Sequence, residues 1–132
     1  MGLRGFRAAG ALVVVLFFAA CAARVPVAPA SLMPLAGEAP DFVVQSDLPI
    51  SLSTGYTRTV PAKSRWRAVG ALPQGTVYRP VDSVFAIEGR QIHEAYLVVR
   101  GATLQGFYLP GEGNYSALVT TLQIPIHQGV QR

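Results

Sequence analysis

The stretch QIHEAYLVVRGATLQGFYL, residues 91–109, decides the fold. Two runs rich in aliphatic, aromatic and β-branched residues flank Arg100-Gly101, and a two-residue loop containing glycine between such runs signals a β-hairpin. With that loop, Val99 is expected to face Ala102, Leu97 to face Leu104, Ala95 to face Gly106 and His93 to face Tyr108. One face of the hairpin is then almost wholly apolar. The other sets Ile92, Glu94, Tyr96 and Val98 against Leu109, Phe107, Gln105 and Thr103, which is mixed but still bulky. Two such faces predict a central hairpin covered at least in part on both sides, with Leu97, Leu104 and Phe107 as its anchors.

Working outward, no ten-residue stretch after Pro40 has helical apolar spacing. Short β-type runs separated by turn residues take its place. In residues 47–54, Leu48, Ile50 and Leu52 alternate with polar residues and Pro49, which suits a half-buried strand near an edge. The run 65–72 leads into Leu72-Pro73-Gln74-Gly75, a turn with proline second and glycine fourth. A further run, 76–88, is broken at Pro80. These patterns predict an all-β domain over residues 41–132, a small sandwich or curled barrel of about five to seven mainly antiparallel strands.

Before that domain the composition is different. MGLRGFR carries two arginines, and residues 8–23 then run sixteen positions without a charge. This is the layout of an export signal. At ~1.5 Å per residue such a run reaches only about 24 Å as a helix, short of the ~30 Å hydrocarbon core, so a membrane-spanning anchor is the weaker alternative. Residues 24–40, with prolines at 26, 29, 34 and 40, are expected to form an extended, partly stiff linker.

Near the end of the run stands Phe18-Ala19-Ala20-Cys21, and Cys21 is the chain's single cysteine. These residues resemble the lipobox of bacterial lipoproteins, in which small residues precede a cysteine that is acylated and becomes the mature N-terminus. The resemblance covers about the first 21 residues. It implies a signal peptide at 1–20, lipidation at Cys21, a tether over 21–40 and a lipid bilayer as partner. In that family an aspartate after the cysteine often retains the protein at the inner membrane. Ala22 stands here instead, which implies the periplasmic leaflet of the outer membrane. Ordinary signal cleavage near Ala20-Cys21-Ala22 is the rival and would yield a soluble periplasmic protein; retention at the inner membrane is a further alternative.

The formal charge is +4, and +2 once Arg4 and Arg7 are removed with the signal. That is too little to make nucleic acid a general partner. The strongest binding candidate is TRTVPAKSRWR, in which Arg58, Lys63, Arg65 and Arg67 surround Trp66. In a strand, Arg65 and Arg67 share one face and Trp66 takes the other, so the expectation is a buried Trp66 with an outward basic edge. Such an edge could meet an envelope protein or an anionic glycolipid. His93, Glu94 and Tyr108 form a second candidate, a pocket, although adjacent His93 and Glu94 point to opposite faces of a strand. His127 lies near the C-terminus. No Cys, His, Asp or Glu spacing suits a metal and no cofactor or nucleophile motif is present, so neither metal nor cofactor is expected.

The function expected from these observations is binding or scaffolding of an envelope component by a membrane-tethered, non-catalytic domain. A soluble periplasmic ligand-binding or inhibitor module is the alternative within binding. An envelope hydrolase or its accessory subunit is the alternative from another class. Strand-edge pairing with a partner would favour the scaffold. A deep pocket at His93 would favour the other two.

Overall fold

A computed structural model describes residues 23–126; the expected signal sequence, Cys21 and His127 lie outside the described residues. The described chain is all-β, with strands β1 (Ala28–Pro29), β2 (Phe42–Val43), β3 (Leu48–Ser51), β4 (Thr57–Val60), β5 (Arg65–Leu72) and β6 (Gly75–Pro80) in its first part. There follow β7 (Ala86–Glu88), β8 (Ile92–Glu94), β9 (Tyr96–Arg100), β10 (Thr103–Leu109) and β11 (Asn114–Gln123). Seven of these form one open antiparallel sheet in the order β1-β11-β10-β9-β6-β5-β2, while β3-β4 and β7-β8 are separate two-stranded sheets. The large sheet is not closed into a barrel.

One face of the large sheet carries the main core. Trp66, Leu97, Val99, Leu104, Phe107 and Leu109 pack there against Ile50 and Val60 of β3-β4 and Ile87 of β7-β8. Phe85 ties the layers together, edge-on to Trp66 at 5.5 Å between ring centroids and stacked near Phe107 at 6.2 Å. The opposite face buries a smaller set, Leu72, Val77, Val98 and Tyr108, with Tyr96 and Tyr115 packed against it. The central hairpin is therefore apolar on both sides, as its composition predicts.

The hairpin register differs from the expected one. Arg100 pairs with Thr103 and Val99 with Leu104, so the loop is Gly101-Ala102. Gly101 has φ +63°, a conformation that glycine adopts without strain and arginine does not, so glycine takes the first loop position. A bulge between Leu104 and Gly106 then brings Leu97 opposite Phe107 and Tyr96 opposite Tyr108. Leu104 and Phe107 are three residues apart and would take opposite faces in a regular strand; the inserted residue lets both enter the main core. The expected His93–Tyr108 and Ala95–Gly106 pairs are not made, because the run 92–100 is shared between two sheets. It breaks at Ala95, whose amide donates to the Phe85 carbonyl at 2.9 Å.

The β5-β6 turn forms where Leu72-Pro73-Gln74-Gly75 predicts it, with Leu72 opposite Gly75. A β-carbon on Gly75 (φ +155°) would stand 2.5 Å from the Val99 carbonyl oxygen, so close strand packing and backbone conformation both call for glycine. The Arg100 guanidinium donates to the Pro73 carbonyl at 2.7 Å and joins this turn to the neighbouring one.

The segment expected as a free linker lies on the domain from Ala23 onward. Val25 is buried in the main core, Ala28 and Pro29 pair with Tyr115 and Asn114, and Met33 bridges to Ala71 through two hydrogen bonds of 2.8 and 2.9 Å. Gly70 makes room for this strap, since a β-carbon there would be 2.6 Å from Leu32 Cγ. Extended chain carries unpaired amides and carbonyls that a sheet edge can satisfy, here β11 for Ala28–Pro29 and β5 for Met33.

Candidate functional site

A cleft of about 360 Å³ opens where the start of the strap meets the loop before β8 and the β10-β11 turn. Val25 and Val27 supply its apolar wall. Its polar lining comes from Arg24, Arg90, Gln91, His93, Glu112 and Asn114. The strand β8 alternates out, in, out, so Ile92 and Glu94 are exposed while the His93 side chain is turned inward and only 15% accessible. The turn ends with Glu112 and Gly113, whose amides both donate to the Leu109 carbonyl, and Gly113 takes φ +67°. This places the Glu112 carboxylate 3.0 Å from His93 Nδ1.

The cleft thus combines two guanidinium groups, an imidazole hydrogen-bonded to a carboxylate, and two side-chain amides. Such a set suits recognition of a small anion or a polar headgroup, with Arg24 and Arg90 as charge and the amides as orienting groups. Among the described residues, those lining the cleft include no hydroxyl or thiol side chain. No group of three or more His, Cys, Asp or Glu among the described residues could hold a metal.

Of the expected pocket of His93, Glu94 and Tyr108, the structure keeps only His93. Tyr108 belongs to the smaller core on the other face of the sheet, where its ring lies 6.3 Å from that of Tyr96. Glu94 is exposed; burial, followed by the Glu94 charge, raises the Tyr96 phenol above its ordinary pKa. Burial likewise pushes the Tyr78 and Tyr115 phenols up. The partner that completes the His93 site, Glu112, comes from a turn nineteen residues away and has no spacing signal in the sequence.

The basic cluster is also divided. Trp66 is 1% exposed and donates from its indole to Ser64 Oγ at 2.9 Å, while Arg65 and Arg67 point outward as expected. Both approach Asp41: Arg67 makes two hydrogen bonds to its carboxylate, at 3.2 and 3.3 Å, and Arg65 stands at 4.0 Å. The hydrogen bond to Asp41, followed by its charge, raises the Arg67 pKa. Lys63 is exposed in the turn before β5, at φ +69°. Arg58 is turned inward, its guanidinium 4.8 Å above the Phe85 ring, so it is a packing cation on β4 and no part of the outer edge. Reversing both Arg65 and Arg67 to Glu is expected to leave the melting temperature almost unchanged, since exposed ion pairs contribute little. Retention on an anionic column should drop in the same variant, and unfolding would show that these side chains support the fold.

No family model, no curated protein and no solved structure matches this chain.

Proposed function

We propose that this chain is a lipid-anchored protein of the bacterial cell envelope whose β-domain binds or scaffolds an envelope component. The observation that carries the reading is Phe18-Ala19-Ala20-Cys21 near the end of an uncharged run, two residues before the first described residue of the domain. Each methylene buried in a bilayer contributes ~0.8 kcal/mol, so two or more acyl chains on Cys21 make attachment effectively permanent. By the same resemblance, Ala22 directs the protein to the outer membrane, in its periplasmic leaflet.

Two surfaces are available to a partner on this reading. The Arg65-Arg67 edge suits an anionic surface, and the Arg24-Arg90-His93 cleft suits a small anion or headgroup. The cleft also favours a second reading, a ligand-binding module of the periplasm, which shares the domain but does without the anchor. Replacing Cys21 by serine separates the two. In a bacterium with normal lipoprotein processing, wild type is expected almost entirely in the membrane fraction as a processed, acylated chain, whereas Cys21→Ser is expected to carry no acyl chain and to keep its signal sequence. Equal solubility of both proteins would favour the unanchored module.

A further inference from the structure

We infer that the end of the domain around Ala23 rests on an anionic phospholipid surface, with Arg24 and Arg90 against headgroup phosphates and Ile92 at the interface. The inference deepens the lipid-anchored reading and rests on it. A free linker of seventeen residues could carry the domain about 50 Å from the membrane if fully extended. The structure removes that distance. The Ala23 carbonyl accepts a hydrogen bond from the Arg90 amide at 3.1 Å, and Val25, two residues on, is buried in the core. From Cys21 to Ala23 the chain can span at most about 7 Å. The headgroup layer of one leaflet is itself roughly 5–8 Å deep. A domain joined through so short a link meets the headgroups with whichever residues surround the attachment point.

Those residues suit such a surface. Gly89 packs so closely that a β-carbon on it would lie 2.8 Å from the Ala23 carbonyl oxygen and 2.9 Å from Thr54 Cγ2, which joins the attachment point to two neighbouring loops. Thr54 Oγ1 also donates to the Glu88 carbonyl at 2.7 Å. Arg24 and Arg90 are both exposed, and neither forms an ion pair among the described residues. Two carboxylates lie near: Glu112, hydrogen-bonded to His93, and Glu88, exposed on β7 opposite Ile92. Ile92 is 71% exposed, a large aliphatic side chain two residues from Arg90. Single exposed aliphatics are common on soluble surfaces. Here the aliphatic, the two cations and the attachment point share one end, which is the composition of an interfacial contact.

The test uses the full-length acylated protein in phosphatidylglycerol-containing vesicles, with a fluorophore on Ile92→Cys or on Gln123→Cys. Gln123 is exposed and pairs with Thr103 at the opposite end of β10-β11. Brominated lipids are expected to quench the label at 92 severalfold more than the label at 123. Each cation near an anionic surface biases contact about fivefold, so Arg90→Glu should remove about half or more of the quenching at 92. Equal quenching at both positions in vesicle-bound, acylated protein would overturn the orientation while the anchor stands, and indifference to Arg90→Glu would overturn the headgroup contact. An unacylated protein that leaves the vesicles would overturn the anchor itself and this inference with it.

Discussion

Phe107→Ala is expected to lower the unfolding free energy by about 3–5 kcal/mol, the range for removing a fully buried aromatic ring. Phe107 is 1% exposed, stacks near Phe85 and lies opposite Leu97 at the centre of the large sheet. Around it are Leu104, Leu109 and the small sheets that cover this face, each held by its own strand pairing, so the void cannot close by moving one side chain. In a domain of this size a loss of 1 kcal/mol lowers the melting temperature by about 4–8 °C, so the variant should melt far below wild type or fail to fold at 37 °C. Thermal unfolding followed by Trp66 fluorescence measures the effect. Val119→Ala is the control: at 85% exposure it should fall within about 0.5 kcal/mol of wild type. A mild effect at Phe107 would mean that the bulge does not turn its ring into the core.

Gly106→Ala tests the same bulge by the opposite mechanism, excess volume. A β-carbon there would collide with the Ser116 carbonyl oxygen and lie 2.9 Å from Ala117 Cα and 2.8 Å from the Tyr115 hydroxyl. The first two are backbone atoms of the paired strand β11, so neither can rotate away. Gly106 opposes Ala117 directly after the register shift, and the Tyr115 hydroxyl donates across the bulge to the Gln105 carbonyl at 3.2 Å. Overpacking of this kind costs about 1–3 kcal/mol and occasionally more, and the loss of bulge geometry places Gly106→Ala at the upper end. Gly111→Ala, where nothing lies within 4 Å of the added carbon, should be close to neutral in the same denaturant titration. Equal stability of the two variants would contradict the observed β10-β11 register.

Much of the architecture was legible because local chemistry and tertiary need agree. Pro73 and Gly75 mark their turn, Pro80 ends a strand, and alternation around Trp66 assigns the inward side chain and its outward arginines correctly. The register of the central hairpin was not legible, because it depends on whether Gly101 is the second or the first loop residue, a choice of two positions that leaves the facing pattern near the turn unchanged. Bulges hide further information. The offset between Leu104 and Gly106 breaks the period-2 pattern on both β10 and β11, and β11, the longest strand, shows five exposed residues that give no clean alternation. The strap was illegible for another reason. Val25, Ala28 and Met33 have no periodicity of their own, and their partners are edges contributed by distant strands. The candidate cleft follows from that strap, so His93 could be singled out from its residue type while Glu112, Arg24 and Arg90 could not be joined to it.

The central claim, that Cys21 anchors a domain which begins immediately after it, is tested most directly by the intact mass of the wild-type protein extracted from the membranes of a bacterium with normal lipoprotein processing. The account predicts a single chain that starts at Cys21 and carries the added mass of its acyl chains. A mass equal to an unmodified chain, whether it starts after Cys21 or retains the signal sequence, would contradict it.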